Sequence, residues 1–261
     1  MKRTFAALVV LLSAAATGLA ASNKQPAPTG AIPDAPPQYT AFSTAELMRG
    51  FLALAFGSDL RVGMAPRGIR HFGHPIRAAV ISGGSVDRAA AMRRVLDDFT
   101  SQVPTLRLST IGDAAVADVE VHLIDEKNIA SALEAAFGAR IAKTFIRRTD
   151  PQCMTSVKSS ADGRILRSVS FIIVDKGNGV FLDCAYHELL HAFGLSNHDQ
   201  RNPWTTLNQR CMVGYLSVYD RALLAALYDP RIAPGMTASQ ARERLPAVIR
   251  DLRLASPDRG R

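Results

Sequence analysis

The stretch Val-Phe-Leu-Asp-Cys-Ala-Tyr-His-Glu-Leu-Leu-His-Ala-Phe-Gly, residues 180–194, decides how this chain is read. Its pattern predicts a helix from Val180 to Phe193. Gly194 follows, the residue type that can turn a chain through a left-handed conformation at a helix end. On a helix, residues i and i+4 share a face, so His187 and His191 present two imidazoles to one ion. Glu188 lies beside them, placed to take a proton from a metal-activated water. With 6 histidines in 261 residues, a chance His-Glu-x-x-His is on the order of a few per thousand. The motif is therefore read as chemistry before it is read as packing. His198 and Asp199 arrive just beyond the turn. Either would complete three protein ligands and leave a position open.

Working outward, Leu-Arg-Ser-Val-Ser-Phe-Ile-Ile-Val at 166–174 has the β-branched weight of a strand. Asp175-Lys-Gly-Asn-Gly179 is a turn. Upstream, 76–82 and 118–124 read as strands. In the second, Val119, Val121 and Leu123 alternate with Glu120 and His122. A shorter strand is expected at 106–111, and 148–163 reads as irregular. Helices are expected at 44–57 (with Thr44 as the cap), 86–103 (capped by Ser85), 127–137, 217–228 and 237–252. This order indicates an α+β domain. His71, His74 and His122 have no partner at ligand spacing and read as loop or surface histidines. Ser82-Gly-Gly-Ser85 lacks the lysine of a phosphate loop.

The first residues indicate export. Lys2 and Arg3 precede an apolar run at 5–12 and small residues to Ala21, the pattern of a signal peptide over 1–21. Residues 22–42 are rich in proline and read as a flexible linker. The domain is expected at 43–254, with a disordered tail at 255–261. No later stretch is apolar for long enough to span a bilayer. The net charge is +8, or +6 once Lys2 and Arg3 leave with the signal. Basic residues are scattered among acids without interleaved aromatics, which argues against a nucleic-acid surface. Cys153, Cys184 and Cys211 in an oxidising compartment imply one disulfide and one remaining thiol, with three pairings open.

His187-Glu-Leu-Leu-His191-Ala-Phe-Gly194 resembles the zinc motif of the metzincin metalloproteases. Cys211-Met212-Val-Gly-Tyr215 resembles that clan's methionine turn, and 216–228 is similar to its closing helix. The resemblance implies a metzincin-like fold, a small twisted mixed sheet with a zinc-binding active-site helix and C-terminal helices. It also implies Zn2+ as cofactor, Glu188 as general base and Tyr215 as an oxyanion donor. The family's third ligand stands ten residues after the first histidine. That position is Asn197 here, and a neutral amide is a weak zinc ligand. His198, one residue later, is the favoured third ligand because zinc takes imidazole readily; Asp199 is the alternative.

A second resemblance spans about 45–250. Phe51-Leu-Ala-Leu-Ala-Phe-Gly-Ser58, Pro151-Gln-Cys153 and Tyr228-Asp-Pro-Arg-Ile-Ala-Pro-Gly-Met236 are similar to an uncharacterised family of exported bacterial proteins and putative lipoproteins. It implies that Cys153 pairs with Cys184. The functional expectation is a monomeric, periplasmic or secreted zinc-dependent hydrolase acting on a peptide or protein, with the strand at 166–174 along its cleft. A non-catalytic envelope binding protein on the same fold is the alternative, and hydrolysis of a cell-wall amide is a third reading.

Overall fold

The computed structural model describes residues 42–57, 68–140, 142–143, 146, 152–210 and 212–255. The signal peptide, nearly all of the linker, Ser58, Pro151, Cys211 and the tail beyond 255 lie outside the described residues. The helices are α1 (Thr44–Phe56), α2 (Ala89–Gln102), α3 (Ile129–Phe137), α4 (Asn178–Ala192), α5 (Val218–Leu227) and α6 (Ala238–Ala255). The strands are β1 (Ile76–Ser82), β2 (Leu108–Ile111), β3 (Val119–Ile124), β4 (Cys153–Ser159) and β5 (Ile165–Ile173). They form one mixed sheet in the order β2-β1-β3-β5-β4. Strands β1, β2, β3 and β5 run parallel, and β4 pairs antiparallel with β5. The fold is α+β, as the element order indicates.

Alternation along the strands divides the core. Val119, Val121, Leu123 and Ile172 join the larger cluster, built with α1, α2, α4, α5 and α6. Phe171 and Ile173 join Ile129 and Leu133 of α3 in a smaller cluster on the other face. Register then sets what meets α4. Cys153 stands opposite Ile172 and Thr155 opposite Ser170, so both belong to the α4 face. From that face Thr155 Oγ1–H donates to Glu188 O (3.0 Å) and Ser168 Oγ–H to Ala192 O (2.8 Å). Cys153 forms a disulfide with Cys184 of α4. Such a bond persists in an oxidising compartment. No helix among the described residues is long and apolar enough to cross a membrane.

Four expectations change. Residues 153–159 form strand β4, not irregular chain. As the outer strand it is only partly buried, so it lacks a strong apolar signature. Strand β5 is hydrogen-bonded on both sides and cannot take an added chain; among the described residues, β4 pairs only with β5. Ser85 does not cap α2. Its amide and hydroxyl both donate to Asp125 Oδ1 (2.7 and 2.8 Å), and α2 begins at Ala89. Helix α1 is capped by Ser43 in a capping box with Glu46 rather than by Thr44.

The end of α4 is the tightest backbone approach around the motif. Gly194 has φ +117°, and a Cβ there would stand 2.0 Å from Arg70 O. Gly194→Ala combines strain at positive φ with a backbone clash. It is expected to destabilise the fold by about 2 kcal/mol or more, read by thermal or denaturant unfolding. Replacing both Cys153 and Cys184 by serine releases a constraint between residues 31 apart in sequence. An oxidised wild type should exceed that variant by about 2–4 kcal/mol, and the difference should vanish under reductant.

Candidate metal centre

Helix α4 brings His187 and His191 to one face, and the turn after Gly194 brings the chain back. Ser196 N–H and Asn197 N–H both donate to Leu54 O near the end of α1 (2.9 and 3.1 Å). The Asn197 side-chain amide donates to Ala53 O (3.0 Å). The tenth position is thus spent on helix α1, and the following residue, His198, reaches the motif. Asp199 points elsewhere: its Oδ1 accepts from Arg201 N (3.1 Å).

Three imidazole nitrogens converge. His187 Nε2 lies 2.9 Å from His198 Nε2, and His191 Nε2 is 3.1 Å from each. The opposite ring nitrogens are committed. His187 Nδ1–H donates to Thr206 O (2.9 Å) and His191 Nδ1–H to Leu195 O (2.6 Å). Both rings therefore direct Nε2 lone pairs toward the same point, where a cation could be held. Zinc–nitrogen bonds of 2.0–2.1 Å in tetrahedral geometry need nitrogens ~3.3 Å apart, close to the observed triangle. Among the described residues this is the one group of three or more His, Cys, Asp or Glu side chains that could hold a metal ion.

Electrostatics agree with that reading. Burial pushes His187 down to about 4, reinforced by His198 and opposed by the Thr206 carbonyl. Burial also holds His191 well below the ordinary imidazole range, with His187 and His198 adding to the effect. Neutral imidazoles are the form that binds metal. Glu188 is 4% exposed, and its buried Oε2 has no hydrogen-bond partner. Burial pushes its carboxyl up to about 8, with the Thr155 hydroxyl opposing and Asp183 adding. A nearby cation would act in the opposite sense.

A buried carboxylate outside the motif holds the loop that orients His187. Asp220 accepts from Thr205 Oγ1 (2.6 Å), Thr206 N (2.7 Å) and Ser217 Oγ (2.9 Å). It thereby fixes Thr206, whose carbonyl accepts from His187. Sequence reasoning missed Asp220, because its spacing carries no ligand pattern. Asp183 of α4 holds a different stretch of loop, its Oδ1 accepting from Val213 N (2.5 Å).

The other residues singled out in the sequence have the following surroundings. Met212 is 67% exposed rather than packed in the core; its loop is anchored through Val213 and Leu216, both buried. Tyr215 is half-buried against the core, its carbonyl accepting from Thr206 Oγ1 (3.2 Å). His71 is buried, not a surface histidine, and its ring lies between Phe72 O (2.7 Å) and Ile232 O (2.9 Å). His122 stays with Glu120 (3.1 Å), and Glu120 also pairs with Arg167. His74 is exposed.

A family model described as protein of unknown function (DUF2927) matches residues 44–247, most of the chain and all of the cluster. The chain belongs to the DUF2927 family. No curated protein matches it. In this DUF2927 member the fold carries a three-histidine cluster beside a buried glutamate.

The geometry yields a direct assay. Protein purified without chelator or histidine tag should carry about one metal per chain. His187→Ala, His191→Ala and His198→Ala should each lose it in elemental analysis. Asp199→Asn should keep it, because that carboxylate is turned to Arg201. Metal lost from Asp199→Asn but retained by His198→Ala would reverse the ligand assignment.

Proposed function

We propose that this protein is an exported metal-dependent hydrolase, a zinc metallopeptidase by its donor set. The observation that carries the reading is Glu188, buried with an unpaired carboxylate oxygen on the residue next to His187. A structural metal site has no use for such a group. Three imidazoles with one coordination position left open are a catalytic zinc arrangement. Bound zinc polarises a carbonyl and lowers the pKa of water from 15.7 to about 7.

The chain's own residues supply the rest. His187, His191 and His198 hold the ion, with Thr206 O and Leu195 O fixing the rings of the first two. Glu188 accepts a proton at its carboxylate from the attacking water and returns it to the leaving nitrogen. The outer side of β4 offers backbone groups to an extended peptide, and Thr155 ties that strand to the helix at Glu188. The same reading takes Zn2+ as the resident metal, a peptide or protein as substrate, and the periplasm or the exterior as location. The disulfide Cys153–Cys184 supports that location.

Glu188→Gln separates catalysis from metal binding. The variant should hold as much metal as wild type and hydrolyse a casein or mixed-peptide substrate at least ~100-fold more slowly. Equal turnover by wild type and variant would remove Glu188 from the chemistry. A metal-loaded wild type that hydrolyses no peptide or cell-wall amide would leave a binding protein on this fold.

A further inference from the structure

Gln209 lies 18 residues beyond the last motif histidine in sequence, yet its side chain reaches the cluster. Its Nε2 is 3.2 Å from His198 Nε2. The other end of the amide is committed: Gln200 Nε2–H donates to Gln209 Oε1 (3.3 Å). In this arrangement the oxygen faces Gln200 and the NH2 group faces the histidines, as a lone pair on His198 Nε2 requires.

The backbone carrying Gln209 is pinned on both sides. Asn208 is buried; its Nδ2–H donates to Asn202 O (2.7 Å), and its Oδ1 accepts from Arg210 N (3.0 Å). Asn208 N–H also donates to Thr205 O (3.1 Å), which joins this turn to the peptide that orients His187. Gln209 itself is exposed, so it stands on the solvent side of a cluster whose two helical histidines are bound to carbonyls behind.

An amide NH2 is a donor without an acceptor lone pair. In this orientation it cannot ligate a cation, but it can share an oxygen anion with one. We propose that Gln209 is a ligand-recognising residue of the centre: its amide N–H donates to an anionic oxygen group, a carboxylate or hydroxamate, that enters at the open side of the three histidines. The inference rests on the metal-site reading above. It adds the chemical class of what the open side accepts.

The test uses the Co2+-loaded protein titrated with acetohydroxamate, followed by the visible absorption of the metal. Wild type and Gln209→Ala should hold equal Co2+. The variant should bind acetohydroxamate about tenfold more weakly, the effect of losing one hydrogen bond to a charged group. Gln209→Glu places a like charge at the same point and should weaken binding further, with circular dichroism unchanged in both variants. Equal hydroxamate affinity in wild type and Gln209→Ala overturns the proposal and leaves the metal centre standing. Loss of Co2+ from Gln209→Ala also overturns it, since the residue would then act on the ion. A wild type that takes up no metal overturns this inference and the hydrolase reading together.

Discussion

Burial of helix α4 from Phe181 onward, on every face but the one carrying Asp183, His187 and His191, is the constraint on which this structure depends. The helix lies against β4 and β5 on one side and within the large core cluster on the others. Each polar atom it carries inward must find a partner or cost the fold free energy. The partners come from every neighbouring element. Thr155 and Ser168 of the sheet donate to its carbonyls, and Tyr186 donates to Asp98 of α2. Asp183 takes the amide of Val213, and Arg88 grips the helix start through Asn178 and Val174 O while lying over the Phe181 ring. Glu188 Oε2 is the exception, and it sits beside the histidines.

That satisfied framework turns two imidazoles one turn apart into a candidate cation site. Rings on a free helix would rotate. Here Leu195 O and Thr206 O each hold an Nδ1–H, so the remaining lone pairs converge. The two carbonyls belong to different loops, and each loop is set from a distance. The first is held by the end of α1 through Ser196 and Asn197, the second by Asp220 of α5. In metal sites, loss of a partner that orients a ligating histidine typically costs about 10–100-fold in affinity. The site is therefore a property of helix α4, both loops and two further helices together.

The same logic separates what could be read early from what could not. Strands with a clear apolar alternation, β3 above all, were legible, because one face packs a large core. Strand β4 was not, since an outer strand with Thr, Ser and Lys gives little contrast. Ser85 has the chemistry of a helix cap, but a tertiary acceptor, Asp125, claims both its amide and its hydroxyl. His71 has no partner in sequence and two in space. Met212 follows a family pattern, yet its side chain is exposed where that pattern would bury it.

The sequence by itself determined the helix, the shared face of His187 and His191, the glutamate beside them and the need for a turn at Gly194. All of these follow from local periodicity and from one residue type's backbone freedom. Only the tertiary structure decided that His198 rather than Asp199 joins the cluster. That choice depends on where the Asn197 amide binds, and its acceptor, Ala53 O, lies 144 residues away in the chain. Long-range hydrogen bonds leave no spacing rule behind them. For the same reason Asp220 and Gln209 became visible only once the loops were in place.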